Sequence, residues 1–285
     1  MRSRLILLTT LTMIAFATNS IFCRLALTDR ANDPLSFTIV RLASGAAILL
    51  IIFLKGFSKT KDLLSVKSAM PALMLFSYAM FFSFAYVQMK AGTGALIVFP
   101  TVQFVMLGYA LYKGTKLQLH EKIGVLVALA GLVYLLLPGF DMPPLQASIF
   151  MMLSGVSWGV YSILGKSMDD PIFATAKNFI FTIPLVLILF LIFGVHLTPH
   201  GFLWAILSGS LTSGLGYLAW YIVLKQLDTS TAAVVHLSAP AIAAFGGILF
   251  LGEALTLRLV IASVLILGGL YIKTRGFRIG FKLNN

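Results

Sequence analysis

Long apolar runs alternate with short polar breaks along the whole chain. The runs fall at 5–25, 35–54, 69–88, 92–112, 121–138, 146–165, 172–194, 201–223, 230–251 and 258–273. About 20 mostly apolar residues suffice for a helix to cross a bilayer. A backbone in lipid must satisfy its own hydrogen bonds, so such runs predict helices. The expected fold is an all-α polytopic membrane protein with ten transmembrane helices. "MRSR" before the first run and "AFA" at 15–17 resemble a signal peptide and its cleavage site. The run continues past that site, however, and an internal repeat needs it as its first member, so it is read as a span.

The repeat shows in the polar breaks. "KGTKLQLHEKIGVLVALAGL" (113–132) and "LGEALTLRLVIASVLILGG" (251–269) share Gly-x-x-Leu-x-Leu. Gly114, Leu117 and Leu119 fall on Gly252, Leu255 and Leu257 at one offset, and Gly131 falls on Gly269. Spans two and seven open "PLSFTIVR" and "PIFATAK", placing Arg41 and Lys177 one to two turns into their helices. Snorkelling to headgroups is the ordinary behaviour of such long basic side chains and is favoured here over the alternative, a role in the substrate pathway. Spans four and nine carry prolines within them, Pro100 and Pro240. Ten spans thus divide into two five-helix halves, 1–140 and 141–285. An odd number per half inserts the second half upside down, giving inverted repeats.

Composition agrees with the bilayer. Hydrophobic residues are 59% and charged residues 11% of 285, against about 25% charged in ordinary soluble domains. The mean hydropathy is +0.99. The net charge of +12 would suggest nucleic acid in a soluble protein, but the basic residues gather at span ends. With the N-terminus inside, 15 of the 21 Lys and Arg fall on inner segments and 4 on outer ones. The positive-inside rule then puts both termini in the cytoplasm. Cys23 is the single cysteine, which forbids an internal disulfide.

The segments "GTGALIVFPTVQF" with "LQLHEKIGVLVALAGLVYLL", and "STAAVVHLSAPAIAAFGGILFLGEALTLR", resemble the two EamA repeats of the drug/metabolite transporter superfamily. "FMMLSGVSWGVYSILGK" resembles the first helix of the second repeat. Thr115 in "GTKL" stands where the second copy, "GEAL", has Glu253. The resemblance covers nearly the whole chain. It implies export, or sometimes uptake, of amino acids and related small metabolites, in a bacterial inner membrane.

Inverted repeats build secondary transporters with a substrate site near mid-membrane at their interface. None of the nine acids, Asp29, Asp33, Asp62, Glu121, Asp141, Asp169, Asp170, Asp228 and Glu253, falls at mid-span. The expectation is a facilitator for neutral or zwitterionic substrate, without a carboxylate proton relay. Candidate substrate-pathway residues are Asn19, Tyr78, Gln103, Trp158, Tyr161, Tyr217 and His236. Trp220 and Tyr86 read as interface anchors near span ends. Ser208, Thr212, Gly216 and Trp220 share one helical face, and such small-residue stripes, like Gly155-x-x-x-Gly159, favour tight packing. Pro100 and Pro240 are candidate hinges, since each removes a helix hydrogen bond.

Rival readings are an uptake carrier, a channel and an intramembrane enzyme. "HEKIG" (120–124) lacks the second histidine of a zinc motif, and "HLTPH" (196–200) is broken by Pro199. The serines of "SGSLTSGLG" (208–216) have no sequence-adjacent base to activate them. No metal, cofactor, nucleic acid or ATPase subunit is expected. The expected partners are the lipid bilayer and a small-molecule substrate.

Overall fold

The computed structural model describes residues 2–57, 69–139, 141–165, 170–227 and 235–274. These are helical, with no strand among them. The helices are α1 (Arg2–Leu27), α2 (Pro34–Ile52), α3 (Ala69–Tyr86), α4 (Ala91–Tyr112), α5 (Leu119–Leu136), α6 (Leu145–Gly165) and α7 (Pro171–Phe193). They continue with α8 (Pro199–Leu224), α9 (Ser238–Leu251) and α10 (Leu257–Thr274). Among the described residues, eight helices, α1 to α8, are long and apolar enough to cross a membrane, and α9 is shorter. The expected ninth span begins at 230, but 228–234 lie outside the described residues. So do Lys59, Lys61, Lys67, Lys166, Arg275, Arg278 and Lys282, which carry much of the charge bias, and Asp62, Asp169 and Asp228.

Helix starts follow from local chemistry. Asp33 accepts a hydrogen bond from the Ser36 N–H (2.7 Å) ahead of Pro34. Asp170 accepts from Ile172 and Phe173 N–H (2.9 and 3.1 Å) ahead of Pro171. Each Asp-Pro pair caps a helix whose first residue needs no donor. Glu121 forms a capping box with Gln118, so the acid of "HEKIG" serves a helix end.

The repeated glycine has a backbone cause. Gly114 and Gly252 both adopt positive φ, +87° and +62°, where α4 and α9 stop. Only glycine enters that region freely, and it releases the chain from the helix while its neighbours satisfy the last carbonyls. Glu253 N–H reaches Gly247 O at 3.1 Å, and Thr115 N–H reaches Ala110 O at 3.0 Å.

Packing pairs the helices in a regular way. α2 lies on α7, and α5 lies on α10. α6 packs on α3 and α4, as α1 packs on α8 and α9. Small residues set the close approaches, as in membrane bundles generally. A methyl on Gly124 would overlap the backbone of Gly269 and Lys273, and one on Gly269 would overlap Ala128 and Gly124. Gly155 and Gly159 seat α6 on Thr101 and Val105 of α4, as the small-residue spacing predicts. The outward faces are apolar: Leu187, Ile188, Phe190, Leu191, Ile192 and Phe193 of α7 are all exposed. Surface of that extent fits lipid rather than water.

Three expectations need correction. Arg41 and Lys177 do not reach outward, being only 1% and 4% exposed. Trp220 and Tyr86 are buried as well, so neither anchors an interface. Pro240 lies in the first turn of α9, where a missing donor leaves no intrahelical bond unmade. Pro100 does lie inside α4, and Pro184 lies inside α7.

Candidate functional site

At the centre of the bundle α1, α3, α4, α6 and α8 enclose a small cavity. Phe16, Asn19, Tyr78, Phe99, Trp158 and Tyr217 form most of its wall. Its volume is about 20 Å³, enough for roughly one water molecule. The rings close it. Trp158 and Tyr217 have centroids 4.4 Å apart, Tyr78 and Trp158 4.9 Å, and Phe16 and Tyr217 5.8 Å. Aromatic pairs at such spacings add about 0.5–1.5 kcal/mol each beyond their buried area.

A polar chain runs beside the rings. Asn19 Nδ2 donates to Tyr78 Oη at 3.3 Å. Its Oδ1 accepts from Ser208 (2.7 Å) and Thr212 (3.0 Å). Tyr217 Oη donates to Tyr78 Oη at 3.2 Å and accepts from Arg41 Nη2 at 2.9 Å. Arg41 Nε donates to Ser213 Oγ at 3.0 Å. The guanidinium carbon lies 5.0 Å from the Phe82 ring centre and 5.3 Å from that of Tyr78, within the range of cation–π attraction.

The middle of α8, Ser208–Leu215, is π-helical. Such wide turns collect at functional sites. Gly209 permits this segment to lie against Arg41 O and Ser44 of α2, where any side chain would overlap. α8 consequently shows two polar faces. Ser208, Thr212, Gly216 and Trp220 turn to α1: the hydroxyls bind Asn19, Gly216 abuts Ala15, and Trp220 meets Phe16. Ser213, Tyr217 and Tyr221 turn to Arg41, Tyr78 and Tyr161.

Of the sequence candidates, Asn19, Tyr78, Trp158 and Tyr217 meet at the cavity. Tyr161 stands one ring away, 5.2 Å from Trp158, and holds Asn178 at 3.3 Å. His236 is flanked by Phe16, Phe99 and Trp220 at 5.6, 5.0 and 5.0 Å. Gln103 is buried on α4 but does not line the cavity. Pro100 adjoins the lining residue Phe99. Lys177 lies on α7 with Nζ 5.1 Å from the Phe173 ring centre. Sequence reasoning missed Phe16 and Ser213, and it ranked an inward role for Arg41 behind snorkelling. The i, i+4, i+8 series Ser213, Tyr217, Tyr221 was the available signal.

At one end of the bundle Arg24 joins several helices. Its Nη1 donates to Tyr86 O (2.8 Å), and its Nε lies 3.5 Å from Glu253 Oε1. Glu253 in turn accepts the Ala91 N–H at the start of α4 (2.9 and 3.0 Å). Arg258 Nη1 donates to Leu137 O at 2.6 Å, closing the end of α5. Among the described residues no group of three His, Cys, Asp or Glu could hold a metal ion.

Residues 145–275 match the model of the EamA-like transporter family. A Pseudomonas aeruginosa protein described as uncharacterized is 44% identical over 270 residues, covering 94% of this chain and 93% of its own. A probable amino-acid metabolite efflux pump of Salmonella typhimurium is 26% identical over 208 residues, covering 67% of this chain and 70% of its own. A crystal structure superposes with a TM-score of 0.69 at 20% identity, covering 96% of this chain and 99% of that one. That likeness speaks for the fold alone.

Proposed function

The chain belongs to the EamA-like transporter family of the drug/metabolite transporter superfamily, and on that premise we propose that it exports amino acids or related small metabolites by alternating access, without ATP. It is a multi-pass membrane protein and a transporter rather than an enzyme. Amino-acid export is favoured by the likeness to the probable amino-acid metabolite efflux pump of Salmonella typhimurium. The proposed setting is a bacterial inner membrane with both termini in the cytoplasm, on the charge bias.

The architecture proposed is ten spans in two inverted five-helix halves, 1–140 and 141–285. Support comes from the packing, in which exchanging the halves maps α1 on α8 and α9 to α6 on α3 and α4. Further support comes from the matched stops at Gly114 and Gly252 and the matched starts at Asp33 and Asp170. α1, α3 and α4 of one half and α6 and α8 of the other then surround the cavity.

The observation that carries the reading is this closed aromatic cavity between the halves. At about 20 Å³ it is too small for an amino acid, so a substrate enters only when Trp158 and Tyr217 separate. Rocking of the halves would do this, with Pro100 as a hinge inside α4, while Pro240, in the first turn of α9, breaks no helix hydrogen bond and is the weaker hinge candidate.

The test compares metabolites in spent medium from cells overproducing the protein or its Trp158→Ala/His236→Ala variant, at matched membrane abundance. A small set of amino acids or related compounds enriched only by the intact protein is the expected result. Identical profiles would remove the export reading. Equal enrichment by both would keep the carrier and discard this cavity as its route.

A further inference from the structure

Arg41 sits behind the tyrosine wall of the cavity, 1% exposed. Two of its nitrogens are held, Nε by Ser213 and Nη2 by Tyr217. Its Nη1 is buried with no hydrogen-bond partner. A guanidinium taken out of water without a counter-ion is costly, and inside a membrane protein such a charge ordinarily marks a functional site.

Among the described residues no carboxylate pairs with it. Asp33 and Asp170 cap α2 and α7, Glu121 caps α5, and Glu253 pairs with Arg24 at the start of α4. Asp29 holds the Ala31 N–H in the loop after α1. The local neighbours of the guanidinium are hydroxyls and rings. They orient its fork without neutralising it, and the fork is the shape that receives a carboxylate through two parallel N–H donors.

Resting on the transporter reading, we propose that Arg41 receives the carboxylate of the transported solute, and that this solute is a net organic anion with an apolar or aromatic body. The tyrosine hydroxyl of Tyr217, on Arg41 Nη2 and next to Trp158, holds the position that a carboxylate oxygen takes when the rings part. Phe16, Trp158 and Phe99 then contact the body of the solute. No described acid lines the cavity to receive an ammonium group, so within the proposed amino acids and related metabolites the charge balance narrows the solute to a related simple carboxylate and away from the amino acids themselves. A purely structural Arg41 would tie α2 to α8 and show no preference for ligand charge.

Calorimetric titration of the full chain in lipid nanodiscs separates these roles. The probes are phenylacetate, 2-phenylethanol, 2-phenylethylamine and phenylalanine. Phenylacetate is expected to bind about tenfold or more tightly than the other three. Arg41→Gln should reduce phenylacetate to the level of 2-phenylethanol, while Arg41→Lys should keep part of the preference. If Arg41→Gln does not fold, Ser213→Ala, which frees Nε from its orienting partner, should still weaken phenylacetate and leave 2-phenylethanol unchanged. Equal binding of phenylacetate and any other probe, or a preference unchanged in the folded variants, would overturn the inference. So would failure of all four to bind. Export of a solute lacking a carboxylate, lost in Trp158→Ala/His236→Ala but intact in Arg41→Gln, would keep the transporter and overturn the anion site. Phenylacetate binding without any export would keep the anion site and remove the export reading.

Discussion

Tyr217 donates a hydrogen bond to Tyr78 across 3.2 Å, although 139 residues separate them. The repeated glycines Gly114 and Gly252 are spaced almost identically. Both tyrosines line the cavity, and under the proposed division into two inverted halves they would be counterparts meeting near the pseudo-two-fold axis. Their hydroxyls connect Asn19 on one side to Arg41 on the other. The proposed rocking of one half against the other would therefore break or re-form this contact.

Trp158→Ala removes the ring that contacts Tyr78, Tyr161 and Tyr217. Transport in proteoliposomes should fall about tenfold or more, equivalent to roughly 1.4 kcal/mol, at unchanged membrane abundance. Gln103→Ala should leave affinity unchanged, because Gln103 does not line the cavity. Equal losses in both would refute the assignment.

Asn19→Ala leaves the buried Ser208 hydroxyl without its acceptor, while Thr212 keeps the Ser208 carbonyl and Tyr78 keeps the Tyr217 donor. The orphaned hydroxyl costs about 1–3 kcal/mol. Thermal unfolding in detergent should shift several degrees lower, and Asn19→Asp, which retains the acceptor, should recover part of the shift.

Glu253→Ala should destabilise the end of the bundle by about 1–3 kcal/mol, since it uncaps α4 and leaves Arg24 without its ion pair. Glu253→Gln preserves an acceptor for the Ala91 N–H and should cost less. Hydrogen exchange at the first turn of α4 reports this directly; protection equal to wild type in Glu253→Ala would contradict it.

Adjacent glycines give a sharp comparison on α10. A side chain on Gly269 would overlap Ala128 and Gly124 of α5, while one on Gly268 would meet nothing within 4 Å. Gly269→Val should lower folded yield and melting temperature strongly, and Gly268→Ala should be neutral or slightly stabilising. Similar behaviour of the two would mean that α5 and α10 pack otherwise.

Pro100→Ala restores a donor inside α4 next to the cavity-lining Phe99, while Pro240→Ala acts in the first turn of α9. The hinge proposal expects a several-fold slower transport rate from Pro100→Ala at unchanged affinity, and a smaller change from Pro240→Ala. Rates unchanged in both would remove the hinge.

Much of this architecture was legible because its causes are local. Apolar length gave the helices, the prolines opening spans two and seven coincide with the starts of α2 and α7, and the repeated glycines Gly114 and Gly252 fall just past the ends of α4 and α9. Pro240 was misplaced because a composition run does not reveal where hydrogen bonding begins. Trp220 and Tyr86 were misread because nearness to a span end does not say whether a ring faces lipid or a neighbouring helix. Ser213 was overlooked because the stripe from Ser208 to Trp220 looked like the only small polar face of α8, and the π-helical turn presents a second.

By itself the sequence determined that the chain is helical and lipid-embedded, where its helices turn, and that two of its phrases repeat. Those properties depend on hydropathy and on backbone rules acting over a few residues. Only the tertiary structure decided what Arg41 does. An arginine one turn or two inside a helix can reach outward along its flexible stem or inward to a partner, and the choice depends on what stands opposite. Here Ser213 and Tyr217, 172 and 176 residues away in sequence, stand opposite it, and only the packing of α2 against α8 brings them there.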